Sequence, residues 1–474
     1  MLLLGRVPAE RLVRGTWLLS NFFENEGEIG MSLKPFVVAI FVSLLAFAAE
    51  AQEQRSNREF VAKSIDKTLA VAGESQDQRV LRLSDIIAQA LEGNPEIQAA
   101  KRKVEVARAR AGQASYLEDP ELNVEAWGIP LNRPLSFRSA NPIVVGLRQK
   151  LPFFGKRGLQ SDMAGQEVKM AEEELRAKEI DIVAKIRSAY ADVFMAAKTI
   201  EINQELLQLN RQLGATAENL YRVGKAPQQD VFKALLEQTD LLNKLTSAEK
   251  DRVTTQAKLN TLMNRSITTP IGKPTEPGLS SLAPEYADLE KLAIEQRPEL
   301  RALEANISKS EKAIELAQRN RKYPDFMVGL QYWVAPDQNP KNMYTPMVSL
   351  TIPFSPWTRG RHDYEVEEAL AERQMAQSNL AAMKNMALLE VRENLAKAEA
   401  AAKSVSIYRD GLLPQAEQAF QSTVAAYQTG TVNFATLLDA QRTVRDVRLG
   451  YYKAIVEYEQ SIADLERAVG KKLS

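Results

Sequence analysis

The chain has 474 residues, 61 Lys and Arg against 61 Asp and Glu, no cysteine and a single histidine, His362. This excludes disulfides, thiolate metal sites, cysteine nucleophiles and a His-rich metal cage, and a neutral chain gives no reason to expect nucleic acid as a partner. The absence of thiols suits an oxidising compartment such as the periplasm.

Residues 1–51 read as an N-terminal extension plus signal peptide. An apolar run from Phe36 to Ala48 follows Lys34 and closes on Ala49-Glu50-Ala51, the basic, apolar and small-residue order of a secretory signal. The run falls short of the roughly 20 residues that span a bilayer, which favours cleavage after Ala51 over a retained anchor. Met31 is the expected start, because residues 1–30 have no place in such a signal, and no cysteine follows to carry a lipid. Residues 52–82, rich in Gln, Glu and Ser, read as a loose N-terminal arm. No later apolar run reaches membrane-helix length. The secreted chain is therefore expected in the periplasm, outside the cell, or in the outer membrane as a β-barrel.

From residue 83 a faint repeat appears, with matching features about 204 residues apart, around a proline-rich linker at 265–287. The two repeats are 83–264 and 288–470. In each, a tetrad opens a helix of about 23 residues: Asn94-Pro95-Glu96-Ile97 and Arg297-Pro298-Glu299-Leu300. The helices end near Pro120 and Pro324, and two strands follow each proline: Glu121 to Trp127 and Ile143 to Leu151, then Phe326 to Trp333 and Met347 to Ile352. Leu122, Val124 and Ala126 alternate with Asn123 and Glu125; Val145, Leu147 and Leu151 alternate with Arg148 and Lys150. Such alternation suits a tilted membrane strand or an ordinary half-buried hairpin. Phe153, Phe154, Phe354 and Trp357, just past the strand ends, favour the membrane as an interfacial girdle.

A long helix follows each strand pair. Gly158 to Arg222 lacks proline and consists of good helix formers, for a length of roughly 95 Å. Ala164, Ala171, Ala177, Ala184 and Ala191 recur at near-heptad spacing, which lets neighbouring helices approach closely. The second, Arg361 to Tyr427, contains Gly411 and Pro414, where a kink or local unwinding is expected. Glycine tips at Gly224 and Gly430 turn each chain into a return helix of about 37 residues. The two shorter helices of a repeat, end to end, match the long one. Four strands cannot close a barrel in lipid, so copies of the chain must supply the rest, and three copies are the fewest that leave a pore. The expected fold is α+β and mostly α: a trimeric channel-tunnel, with a 12-stranded barrel on a 12-helix periplasmic α-barrel.

The tetrad Asn94 to Ile97, LPFFGKR (151–157), YRVGKAPQQD (221–230) and YQTGTVNFATLLDAQR (427–442), in this order, resemble the TolC-like outer-membrane efflux family over residues 83–470. GKR and LLPQAE (412–417) are most similar to its CzcC-like heavy-metal branch. The resemblance implies a homotrimeric exit duct in the outer membrane of a Gram-negative bacterium. It would be served by a periplasmic adaptor and an inner-membrane pump, proton-driven and of the RND type, with outer-membrane lipid around it. It also implies that the tips, Val223, Gly224, Lys225, Thr429, Gly430 and Thr431, dock the adaptor; the plain reading is that both glycines only cap helices. Tyr427 and Asp230 match a tyrosine and an aspartate that constrict the family's closed tip, but the position of its arginine is Val432. Thr436 and Asp439 match two pore-ring aspartates, of which Asp439 alone keeps the carboxylate. Asp439 would line a cation-attracting ring or remain a solvated helix residue.

No phosphate-cradling loop, dinucleotide fingerprint or histidine beside a nucleophile is present, so neither an enzyme nor a cofactor is expected. Met383 and Met386 read as helix packing rather than soft-metal ligands. Two other readings stay open: the exit duct of a type I protein secretion system, and a periplasmic coiled-coil scaffold without a pore.

Overall fold

The computed structural model describes residues 80–473, except 130, 133, 135–139, 279–284 and 336–341. The signal peptide, Met31, the cleavage site, residues 52–79 of the arm and Pro284 of the linker lie outside the described residues. Val80–Leu81 (β1) pairs in parallel with Lys273–Pro274 (β4), so the arm ends and the linker passes through a strand pair rather than irregular chain. Tyr190 fastens this pair: its hydroxyl lies 3.1 Å from Leu81 O and accepts from Thr275 N at 2.9 Å.

Each tetrad opens a helix as expected, and a short helix that the sequence did not reveal precedes it. Leu83–Gly93 (α1) precedes Pro95–Ala114 (α2), and Tyr286–Gln296 (α5) precedes Pro298–Lys322 (α6). Proline at the first helical position explains the break, since it lacks only an amide hydrogen that would be unpaired there. Asn94 caps α2, accepting from Glu96 N at 2.8 Å, and donates from Nδ2 to Leu262 O at 2.8 Å. The cap thereby ties α2 to the end of the first return helix.

The strands are Glu121–Ala126 (β2), Ile143–Leu151 (β3), Phe326–Val334 (β5) and Asn342–Leu350 (β6), antiparallel in the order β2-β3-β5-β6. β6 begins five residues earlier than its alternation suggests. Pro346 hides the start in the sequence but is tolerated because β6 is an edge strand.

Lys156–Arg222 (α3) runs unbroken for 67 residues and returns as Gln228–Leu262 (α4). Its counterpart is Arg359–Ile407 (α7), a π-turn at Tyr408–Leu412, and Leu413–Gln428 (α8), returning as Phe434–Val469 (α9). The π-turn is the disruption expected at Gly411 and Pro414: proline cannot donate to the helical ladder, and a wider turn absorbs the mismatch.

Packing follows a single order. Toward the sheet the helices neighbour one another as α2, α3, α6, α7; toward the tips, α4 and α9 lie against α3, and α9 also lies against α7 and α8. Small apolar cores join them. Ile86, Ile97, Ile182, Ile186, Val193 and Leu259 form one; Leu289, Val391, Leu395, Leu465 and Val469 form another. Each fully buried leucine or isoleucine contributes about 1.5–3 kcal/mol.

One charged cluster interrupts the apolar contact of α3 with α9. Arg187 donates to Glu466 through Nη1 and to Glu459 through Nη2 at 3.3 Å, and all three side chains are nearly inaccessible. Burial raises the Glu459 carboxyl above its usual pKa despite the opposing Arg187 charge.

Candidate functional site

Both tips close with the same backbone device. Gly224 (φ 71) donates to Tyr221 O at 3.0 Å and Lys225 to Leu220 O at 2.8 Å. Gly430 (φ 78) and Thr431 repeat this with Tyr427 O at 3.0 Å and Ala426 O at 2.9 Å. This is the Schellman motif, whose left-handed position glycine fills without strain. Val223, Lys225, Thr429 and Thr431 surround the glycines as solvent-facing turn residues, with Thr431 Oγ1 donating to Ala426 O at 2.8 Å and Thr429 Oγ1 donating to the same oxygen at 3.0 Å.

The structure brings Tyr427 and Asp230 together within one chain. Tyr427 is 5% exposed, packs its ring 5.4 Å from Phe434, and joins Leu213, Ala217, Ala234 and Leu437 in the core beneath the tips. Burial and then the Asp230 charge push its phenol up to about 12. Asp230, 6% exposed, is raised by its own burial against the pull of Lys233. Thr436 and Asp439 are exposed on one face of α9, the Thr436 amide donating to Asn433 Oδ1 at 2.9 Å. They do not meet Tyr427, which points into the core.

Glu237 shows no signal in the sequence but holds the strongest polar link between α4 and α9. It is 2% exposed and accepts from Arg442 Nε at 2.9 Å and also from Arg442 Nη2. Arg445 Nη1 lies 3.9 Å away. Beside it, Gln441 Nε2 donates to Leu206 O at 3.4 Å, so adjacent positions of α9 bind both helices of the first coil.

At the other end the strand register separates two faces. Leu122, Val124, Val145, Leu147, Val328, Leu330, Tyr332, Tyr344, Val348 and Leu350 share one face across all four strands, and most are exposed. Glu121, Asn123, Glu125, Arg148, Lys150 and Gln331 share the other; Arg148 Nε donates to Asn123 Oδ1 at 3.3 Å. The paired Tyr332 and Tyr344 place aromatic rings at the far end of the apolar face, a feature missed in the sequence because only the near ends were read. Phe154 (83% exposed), Phe354 and Trp357 (85%) stand at the near end. Phe153 is half-buried: its ring meets Phe154 edge-on at 5.8 Å and stacks on Tyr323 at 4.4 Å and on Phe326 at 6.2 Å.

Asp325 is the pin of this junction. It accepts from Phe153 N at 3.0 Å and from the buried Lys156 Nζ at 2.8 Å, while Thr351 N donates to its carbonyl at 3.0 Å. The exits of both hairpins thus meet on one residue. Burial pushes the Asp325 carboxyl up, but the Lys156 bond, the Phe153 amide and nearby lysine charges outweigh it and hold it below its usual value. We predict that Lys156→Met costs about 3 kcal/mol, the low end for a broken ion pair because Asp325 keeps partial hydration. A carboxyl with a lowered folded pKa contributes stability above its unfolded value and loses it as pH falls through the folded one. The wild-type unfolding midpoint should therefore hold from neutrality to about pH 4 and fall below that, with a smaller fall in Lys156→Met. Circular dichroism melts in detergent read both effects.

Among the described residues no helix is long and apolar enough to cross a membrane, which says nothing of the strands, and no group of His, Asp and Glu side chains converges as a metal site.

Residues 86–265 and 289–471 match the outer membrane efflux protein family, and the chain belongs to it. It is 23% identical over 397 residues to CzcC, the cobalt-zinc-cadmium resistance protein of Cupriavidus metallidurans, covering 82% of this chain and 90% of that one. It is 23% identical over 406 residues to the outer membrane protein TolC of Vibrio cholerae, with coverages of 82% and 90%. The fold is similar to the open-state MtrE outer membrane channel of Neisseria gonorrhoeae, with a TM-score of 0.67 at 19% identity over 83% of this chain and 90% of that chain. The mostly helical chain with its small sheet is thus an outer-membrane efflux protein and not an enzyme.

Proposed function

We propose that three copies of this chain close into a duct that conducts solutes passively from an inner-membrane pump and periplasmic adaptor to the exterior. The observation that carries this is a set of matching open edges. β2, α2 and α4, all from the first half, lie at one edge of the sheet and helix layers; β6, α7 and α8, all from the second half, lie at the other. A head-to-tail ring of copies satisfies all of these edges with one rotation. Bare strand edges cannot persist in lipid, and the apolar face supplies the lipid-facing side. Three copies give twelve strands, with two structural repeats per chain (83–264 and 288–470) contributing alternately around the ring.

In this reading the tips at Gly224 and Gly430 meet the adaptor, Tyr427 and Asp230 hold the closed tip, and Asp439 rings the axis. Phe154, Phe354 and Trp357 sit at the membrane interface. Energy and choice of cargo rest with the pump, of the proton-driven RND type. The relation to CzcC favours metal cations as cargo.

The chain has no cysteine, so paired cysteines on β2 and β6 report assembly cleanly. Leu122→Cys with Val348→Cys, and neighbouring pairs that scan the register, should yield under oxidation a ladder that stops at three chains. A ladder ending at two, or none for any pair, would reject the ring. Deleting the gene should sensitise cells to divalent metals; sensitivity to lipophilic drugs instead would sink the metal reading, and no change in either would favour protein secretion.

A further inference from the structure

The basic residues after each hairpin, GKR at 155–157 and RGR at 359–361, are not used by the duct reading. Lys156 is buried and committed to Asp325. Arg157, Arg359 and Arg361 are exposed. Arg361 bonds Glu365 at 3.1 Å, whereas the guanidinium groups of Arg157 and Arg359 make no ion pair or hydrogen bond among the described residues. Folding does not account for them, because a cation in the first turn of a helix opposes the helix dipole. Their neighbours are also unusual for a water-facing surface: Phe154, Ile352, Phe354 and Trp357 are all exposed. This belt continues the apolar face of the sheet at the end where every strand joins a helix, and hence at the periplasmic side of the barrel.

We infer that Arg157, Arg359 and Arg361, with Phe154, Phe354 and Trp357, form a collar that binds the phosphate groups of anionic phospholipids at the periplasmic surface of the outer membrane. The inference rests on the barrel reading above. Continuity with the lipid-facing side and charge complementarity identify the occupant. Exposed aromatic rings gain from the headgroup region, where their flat apolar bodies are covered, and exposed arginines there attract anionic headgroups. A site for free phosphate would have no use for the rings. The collar would fix the depth of the barrel and resist its vertical displacement when a pump assembly pulls on the tips.

The test uses the full-length protein in phosphatidylcholine vesicles doped with spin-labelled phosphatidylglycerol or spin-labelled phosphatidylcholine. The immobilised fraction of each label gives their relative association. At low salt the wild type should prefer phosphatidylglycerol by about fivefold or more, the attraction of one arginine near the surface being that large. The preference should fall toward unity in the triple variant R157Q/R359Q/R361Q and survive in the triple lysine variant. Equal association in the wild type, or a preference that survives the glutamine changes, overturns the collar. If the triple variant does not insert, each single glutamine variant should lose up to about fivefold, and no loss in any of them is equally fatal. Displacement of the labelled lipid by inorganic phosphate, beyond that by chloride at equal ionic strength, would mark a free-phosphate site and reject the lipid assignment. Failure of the wild type to enter vesicles at all would count against the barrel instead.

Discussion

Arg187→Met is expected to destabilise the helical body by about 3–5 kcal/mol, the cost of leaving buried charge without its partner. Arg187 donates to both Glu459 and Glu466, and the three side chains are each about nine-tenths buried. Without the guanidinium, two carboxylates face one another between α3 and α9. Glu466 still accepts from Leu473 N at 3.0 Å, while Glu459 Oε1 has no hydrogen-bond partner among the described residues even in the wild type. The loss should depend on pH. A carboxyl whose folded pKa is raised is penalised above that pKa and relieved as pH falls through it, so the gap between variant and wild type should narrow on acidification. Thermal unfolding followed by the helical signal tests this. A triple variant, Arg187→Met with Glu459→Leu and Glu466→Met, should recover most of the loss, because apolar groups of similar volume remove the desolvation cost. A single variant as stable as the wild type at neutral pH would show that water reaches the cluster.

Glu237→Ala is expected to loosen the tips rather than the whole fold. It removes the carboxylate that holds Arg442 and faces Arg445 between α4 and α9. Arg442 is half exposed and can rehydrate; Arg445 keeps Asp446 at 2.9 Å. The cost thus falls on the link between the two coils. If the closed tip depends on that link, losing about 1.5–3 kcal/mol increases the open population by roughly tenfold to 100-fold. Single-channel recordings in planar bilayers should show this as longer and more frequent openings, and cells should admit bulky hydrophilic antibiotics. Unchanged gating in a correctly assembled protein would mean that Tyr427 and Asp230 hold the tip without help from Glu237.

What was legible in the sequence was local. The long helices announced themselves through proline-free runs of helix formers, and the turns through glycines that need positive φ. The strands from Glu121 and Ile143 showed through alternation of apolar and charged residues. Pro346 concealed the start of β6, and the prolines of the tetrads marked the starts of α2 and α6 while the short helices before them carried no comparable signal. Residues whose roles depend on distant partners carried no mark. Glu237 and Arg442 are 205 residues apart, and Arg187 and Glu459 are 272 apart; each alone resembles any charged residue on a helix. Phe153 shows the same limit: its neighbour Phe154 is exposed as expected, but the approach of Tyr323 and Phe326 draws Phe153 inward.

The matching open edges also have a genetic consequence. If three copies close the ring, a chain with one damaged edge still offers its sound edge to a normal neighbour. It therefore enters assemblies and spoils them, instead of being left out. With equal amounts of both chains and random mixing, only about one ring in eight would contain normal chains alone. Edge mutations in β2 or β6 should accordingly be dominant, whereas core mutations that prevent the monomer from folding should be recessive.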